Sequence, residues 1–330
     1  MAKYKTDQIR NIAIVGHGGT GKTTLAEAML FKTGALNRMG KISEGNTVSD
    51  FTGEEKEAGH SMHLALMNVE RKEKHINISD CPGYADFIGG AYQGIAVCDS
   101  ALICVTGTDG IQVQTRKMWE LSTGKARVIA VTRLDAPQAS FSKVVDQVRS
   151  VFGTACTPIA FPAGDDGGES FNGVVSLLTG ENLTDEMKEA RQTLIENAIS
   201  SNEDLMMLYL EDQPIPPEDL NKAIANAILT GELVPIVPVA AEKDALGVEA
   251  LLDVIADLCP SPADIEKPIV RGLETVMVKA DASAEFLAQV FRVRSDPHLR
   301  RLTFFRVYSG TFNAGESLKS QTSSRGERIQ

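Results

Sequence analysis

The chain has 330 residues, 43% hydrophobic and 23% charged, with a formal net charge of −11. That is room for roughly two soluble domains, and it excludes a surface basic enough throughout to hold nucleic acid, although a local basic patch could still meet RNA. The five cysteines (Cys81, Cys98, Cys104, Cys156, Cys259) have no CxxC spacing and read as reduced, mostly buried thiols of a cytosolic protein, while the polar start and the lack of an apolar run near eighteen residues argue against secretion and membrane spanning.

The first apolar run, Asn11–Val15, is short and continuous, as in a strand buried on both faces. A glycine-rich loop follows. Thr24–Thr33 then carries Leu25, Met29 and Leu30 at helical spacing and stops at Gly34. Residues 34–60 are polar with little periodicity and read as a long mobile loop. Met62–Glu70 and His75–Ser79 flank the charged turn RKEK and predict an antiparallel hairpin. Ala101–Thr106 and Arg127–Val131 are further buried strands, with helices expected over Gln112–Thr123 and Ser140–Phe152. This alternation predicts an α/β fold: a mostly parallel sheet with helices on both faces.

From about Thr157 to Gly231 the texture changes. AGDDGGESFNG reads as a surface loop, followed by helical segments over Met187–Leu210 and Pro217–Thr230. The second opens with proline and acids suited to a first turn. This block carries no phosphate motif and reads as an α-rich insertion. The strand pattern resumes at Leu233–Val239, Val248–Leu258 is an amphipathic helix, and the proline-rich stretch Cys259–Pro268 reads as a linker. Beyond it, Glu285–Arg294 and Leu302–Ser309 alternate apolar and polar residues. Two to four strands are expected there, too few to close a barrel. The expected division is residues 1–268, including the insertion at about 157–231, and an incomplete β-barrel domain over 269–330.

Four short segments carry chemistry. Gly16-His17-Gly18-Gly19-Thr20-Gly21-Lys22-Thr23 fits GxxxxGK[ST] between a strand and a helix, with Thr24 next in line. Glycines let backbone N–H groups curl around a β-phosphate, and the helix N-terminus favours the anion. Lys22 reaches the β- and γ-oxygens and the Thr23 hydroxyl ligates Mg²⁺. Asp80-Cys81-Pro82-Gly83 follows the strand His75–Ser79. An acid there holds a water on Mg²⁺, and Gly83 brings its N–H to a γ-phosphate. Alone, DxPG is a common turn; behind a P-loop the functional reading gains. Thr132-Arg133-Leu134-Asp135 ends the strand Arg127–Val131, and a carboxylate there accepts two hydrogen bonds from the guanine edge, with the Arg133 stem against the base face. Ala240-Ala241 follows Leu233–Val239, where a backbone N–H reaches guanine O6. The ligands expected are GTP or GDP with Mg²⁺.

In this order the pieces resemble a translational GTPase of the elongation factor G type. DCPGYADFIGG is similar to that family's phosphate-sensing loop, GIQVQTRKMWELS to its next helix, and LTFFRVYSGTFNAGESL to the opening of its second, barrel domain. Within the family, GHGGTGKTT and DCPGYADF look more like a divergent, elongation-factor-G-like branch. The resemblance implies a ribosomal partner of RNA and protein, no DNA or membrane partner, a cytoplasmic monomer, and GTP hydrolysis with Lys22, Gly83 and Tyr84 at the reacting phosphate. The departures are specific. Tyr84 stands where these factors carry the histidine that positions water, which predicts slow hydrolysis or a binding switch. TRLD stands for NKxD, keeping Asp135. Ala58-Gly59-His60-Ser61 stands for RGIT, so Ser61 is the candidate loop ligand to Mg²⁺, and His60 reads as an exposed loop residue. Ala-Ala stands for Ser-Ala.

Overall fold

The structure, a computed structural model, describes residues 3–179, 183–271, 274–296, 300–313, 315–320 and 323–328. They divide into two compact units, Met1–Ser261 and Pro262–Gln330.

The first unit begins with β1 (Ile9–Gly16), which passes through the glycine loop into α1 (Lys22–Lys32). The next segment, 34–60, is better fixed than its composition suggests. It contains a 3-10 turn at Ile42–Glu44 and a short helix, α2 (Gly53–Ala58), capped by Thr52. Two buried carboxylates anchor it: Glu27 accepts from the amides of Gly40 and Val48, and Glu55 from those of Met62 and His63. Buried charge needs several donors, and these two acids obtain theirs from the loop backbone.

The predicted hairpin is β2 (Ala65–Arg71) and β3 (Lys74–Asp80), joined by Lys72 and Glu73 at φ 47° and 58°. Two left-handed residues make the turn whose twist suits a two-residue hairpin. Then come α3 (Ile88–Val97), β4 (Ser100–Thr106), α4 (Val113–Leu121), β5 (Ala126–Thr132), α5 (Phe141–Phe152), β6 (Cys156–Pro158), β7 (Ala160–Pro162) and β8 (Val174–Ser176). Three helices follow, α6 (Asp185–Ile199), α7 (Glu203–Leu210) and α8 (Pro217–Thr230), then β9 (Val234–Pro238) and α9 (Val248–Leu258).

The main sheet runs β2-β3-β1-β4-β5-β9-β6 and is parallel apart from β2. The expected α/β architecture is therefore present. Ile12, Ile14, Leu102, Ile103, Ile129 and Ile236 are almost wholly buried in its central strands, each contributing about 1.5–3 kcal/mol by leaving water. Two details differ from the sequence reading. The helix expected over Met187–Leu210 is broken at Asn202, whose side chain caps Leu205 N–H; asparagine competes for backbone groups and favours such a restart. The block expected to be an insertion also shares the main core, since β6 is a strand of the sheet and α8 packs on α6, α9 and β5.

The second unit holds three antiparallel pairs: β10 (Lys267–Arg271) with β11 (Glu274–Val278), β12 (Leu287–Asp296) with β13 (Arg300–Ser309), and β14 (Ser317–Ser320) with β15 (Ser323–Arg328). Two to four strands were too few. β10 starts inside the proline-rich stretch, with Pro268 opposite Met277 in a two-stranded sheet, where proline is tolerated on an edge strand.

Candidate functional site

The glycine loop is shaped by backbone demands. Gly16, Gly19 and Gly21 have φ of +147°, +78° and +78°, which residues bearing a Cβ adopt only at a cost. A Cβ on Gly16 would also lie 2.6 Å from the Cys104 carbonyl of the neighbouring strand. Gly21 precedes α1 and no side chain caps the helix, so its first N–H groups face the loop unsatisfied, as an anion requires. Thr24 lies in that first turn.

Lys22 is buried and donates to the His17 carbonyl at 2.7 Å; Thr20 Oγ1 donates to the same oxygen at 2.9 Å. Burial lowers the Lys22 pKa, opposed by the nearby Asp80 carboxylate. Gly83 lies against this corner: a Cβ there would run into Lys22 Nζ and come within 2.7 Å of the His17 carbonyl. Beside it, Cys81 and Pro82 are buried, and the Cys81 thiol donates to Ser79 O at 3.5 Å, so only its backbone faces the loop. Tyr84 stays 44% exposed. Its ring covers Gly18, where a Cβ would be 2.8 Å from ring carbons.

Thr23, Asp80 and Ser61 meet. Thr23 Oγ1 donates to Asp80 Oδ2 at 2.9 Å, Ser61 Oγ donates to Asp50 Oδ1 at 2.7 Å, and the two hydroxyl oxygens are 3.0 Å apart. With each hydroxyl proton directed at a carboxylate, lone pairs face each other across that gap. Adjacent ligands on octahedral Mg²⁺, at ~2.0–2.1 Å bonds, are separated by ~2.9 Å. Asp80 Oδ1 is buried without a hydrogen-bond partner, although the Ser49 hydroxyl beside it helps to stabilise the charged carboxylate. Burial pushes the Asp80 pKa up to about 6, against the pull of Lys22 and Thr23, and burial raises that of Asp50 as well. These residues fit a magnesium ion. Among the described residues no cluster of three His, Cys, Asp or Glu forms a metal site; here hydroxyls share the work with carboxylates.

Sequence reading missed Asp50 because one aspartate in a polar loop carries no spacing signal. It also gave His60 no partner, whereas the His60 and Tyr84 rings lie 4.7 Å apart.

At the far end of the pocket, Thr132 turns inward. Its hydroxyl donates to Thr20 O at 2.7 Å and Val105 O at 3.2 Å, tying β5 to the glycine loop. Arg133, at φ 56°, donates to Gly19 O at 3.2 Å, and its stem passes 3.7 Å from the Cβ position of Gly21. Asp135 is half-buried just beyond. The two base-end loops are bonded together: Leu134 N–H donates to Val239 O at 3.3 Å. Ala240 N–H is taken by Leu246 O at 2.9 Å, which leaves Ala241 as the amide of that pair to face a ligand. The stretch after β7 is more than surface. Gly168 N–H donates to Leu134 O at 2.7 Å, Asp166 accepts from Ser140 Oγ and Ser142 N at 2.5 and 2.8 Å, and Lys243 donates to Glu169 O.

A parallel sheet with a Gly16–Thr23 loop at the end of its first strand and an acid at the end of β3 defines a P-loop nucleoside-triphosphate-binding protein. Residues 7–261 match the elongation factor Tu GTP binding domain, and the chain belongs to that family of translational GTPases. Among solved structures it is similar to a protein from Thermus thermophilus, with a TM-score of 0.84 and 30% identity over 98% of this chain and 48% of that one. The chain thus spans about half the length of that relative. No helix among the described residues is long and apolar enough to cross a membrane.

Proposed function

We propose that this chain is the nucleotide-binding part of a Mg²⁺-dependent GTPase of the elongation factor G type, acting on the ribosome during elongation and translocation. Residues 1–268 would be its GTP-binding domain, with a subdomain at about 157–231, and 269–330 the start of its barrel domain. The partners would be ribosomal RNA and proteins, met by a cytoplasmic monomer.

The observation that carries the reading is a buried Lys22 ammonium whose hydrogen bond goes to the His17 carbonyl, beside a buried Asp80 carboxylate with one oxygen lacking a hydrogen-bond partner. Lys22 and the amides of Gly18–Thr24 would hold the β- and γ-phosphates. Thr23 and Ser61 would hold the metal directly and Asp80 through water; bound there, Mg²⁺ neutralises charge on the phosphate oxygens. Asp50 positions the Ser61 hydroxyl. The Gly83 amide would contact the γ-phosphate, and Asp135 with Ala241 would read guanine while Arg133 covers the ring.

Titration with fluorescent GTP, GDP and ATP, with and without Mg²⁺, tests this. The expected result is GTP and GDP binding that ATP does not displace, with GTP binding dependent on Mg²⁺. Equal competition by ATP would remove the guanine assignment.

One observation favours a second reading, a ribosome-binding switch with little hydrolysis: the Tyr84 ring covers Gly18. Ribosome-stimulated turnover in the longer parent protein separates the two. A large rise in Tyr84→His supports the switch, and loss of turnover in Tyr84→Phe supports the enzyme.

A further inference from the structure

His60 meets the tyrosine that covers the glycine loop. The loop that carries it is held on both sides. Gly59, at φ 67°, ends α2 with its N–H on Glu55 O at 2.8 Å, and the Glu55 carboxylate grips the amides of Met62 and His63 at 3.0 and 2.9 Å. Burial pushes the Glu55 pKa up, but these backbone donors overcome it and hold the pKa below its usual value, so the grip is that of a carboxylate. Between the two clamps stand His60 and Ser61. Ser61 turns toward Thr23. His60 turns toward the tyrosine on the glycine loop, 4.7 Å from the Tyr84 ring and 5.9 Å from Phe87. The imidazole therefore packs on the tyrosine that covers Gly18, one residue before the hydroxyl that meets Thr23.

Its tautomer follows from one contact. His60 Nδ1 is 3.1 Å from the Ala58 carbonyl oxygen. A carbonyl only accepts, so Nδ1 carries the proton and Nε2 is left as an acceptor.

We propose that His60 is a catalytic residue whose Nε2 accepts a hydrogen bond from the water that attacks GTP, supplying from the loop before β2 the imidazole that position 84 lacks. The inference rests on the GTPase reading above. In the step it serves, the water oxygen bonds to the γ-phosphorus and the bond from that phosphorus to the bridging oxygen breaks. GDP leaves with the electron pair, and the water's proton ends on inorganic phosphate. His60 orients the water and Tyr84 supports the imidazole through a tilted ring contact. Hydrolysis is thereby tied to closure of the loop, because the orienting nitrogen and the Ser61 hydroxyl are neighbours on it.

The test compares His60→Phe, His60→Ala and His60→Gln with the unaltered chain. GTP and GDP affinities are measured by titration, and hydrolysis of bound GTP is followed in single-turnover incubations. Phenylalanine keeps the ring contacts and removes the nitrogens; glutamine restores an acceptor. Expected is a fall of at least about tenfold in the hydrolysis rate for Phe and Ala, with affinities within about twofold of the unaltered chain and partial recovery in Gln. Hydrolysis at the unaltered rate in His60→Phe would overturn the proposal, because the ring alone would then suffice. Hydrolysis absent from an unaltered chain that binds GTP tightly would also overturn it. Failure of the unaltered chain to bind guanine nucleotides is a different result and removes the GTPase reading itself.

Discussion

The two ends of the candidate pocket are built on different principles. At the phosphate end, charged groups are buried in advance of any ligand: Lys22 and Asp80 are 7% and 1% exposed, and the glycines around them hold backbone angles that other residues avoid. At the base end, Arg133 is exposed and Asp135 half-buried, and shape comes from loops bonded to loops through Leu134, Val239, Gly168 and Lys243. One end holds buried charge; the other is a preformed frame.

Substitutions sharpen this contrast. The largest effect should come from Lys22→Ala, which removes a buried cation from the phosphates. GTP affinity is expected to fall at least about 100-fold, on the order of 3 kcal/mol for lost charge-assisted hydrogen bonds. Titration with labelled GTP reads it, and a loss under threefold would contradict the buried-charge account.

Next in size is a pH effect in the ligand-free chain. The folded pKa of Asp80, about 6, lies above the ordinary 3.8. The folded state therefore keeps a proton that the unfolded state releases, and stability from this group falls as pH rises from about 3.8 through 6. Fully developed, the difference is about 3 kcal/mol. The denaturant midpoint of the unaltered chain should rise as pH is lowered from 7.5 to 5, and Asp80→Asn should respond more weakly. Identical pH responses would mean the carboxylate is not strained.

The smallest effect belongs to the base end. Asp166→Ala removes the acceptor for Ser140 and Ser142 at the start of α5 and should cost about 1–2 kcal/mol of stability. It should weaken GTP and GDP alike, by a few-fold. A selective loss of GTP would place the loop nearer the phosphates than the frame account allows.

The same contrast explains what the sequence made legible. The phosphate end demands particular residue types at fixed spacing along one strand–loop–helix unit, so Gly16–Thr23, Asp80 and Gly83 could be picked out from their order. The sheet was legible because its buried strands are unbroken apolar runs. Asp50, Glu55 and Asp166 were not, because each acts on backbone amides or hydroxyls that hydrophobic periodicity does not reveal. The contact of His60 with Tyr84 was missed for a related reason: an aromatic contact between two loops leaves no periodic trace. The break at Asn202 was hidden by apolar periodicity that continues across it.

The Glu27 carboxylate, fastened to the amides of Gly40 and Val48, has a consequence for the movement of the loop. It acts as a rivet partway along the segment, tying Gly40 and Val48 to α1, so any movement on nucleotide binding is expected only from Ser49 to Ser61. The moving arm is shorter than the polar texture of 34–60 suggests. A spectroscopic label on Arg38 would then be blind to the bound nucleotide, while one on Glu57 would follow it.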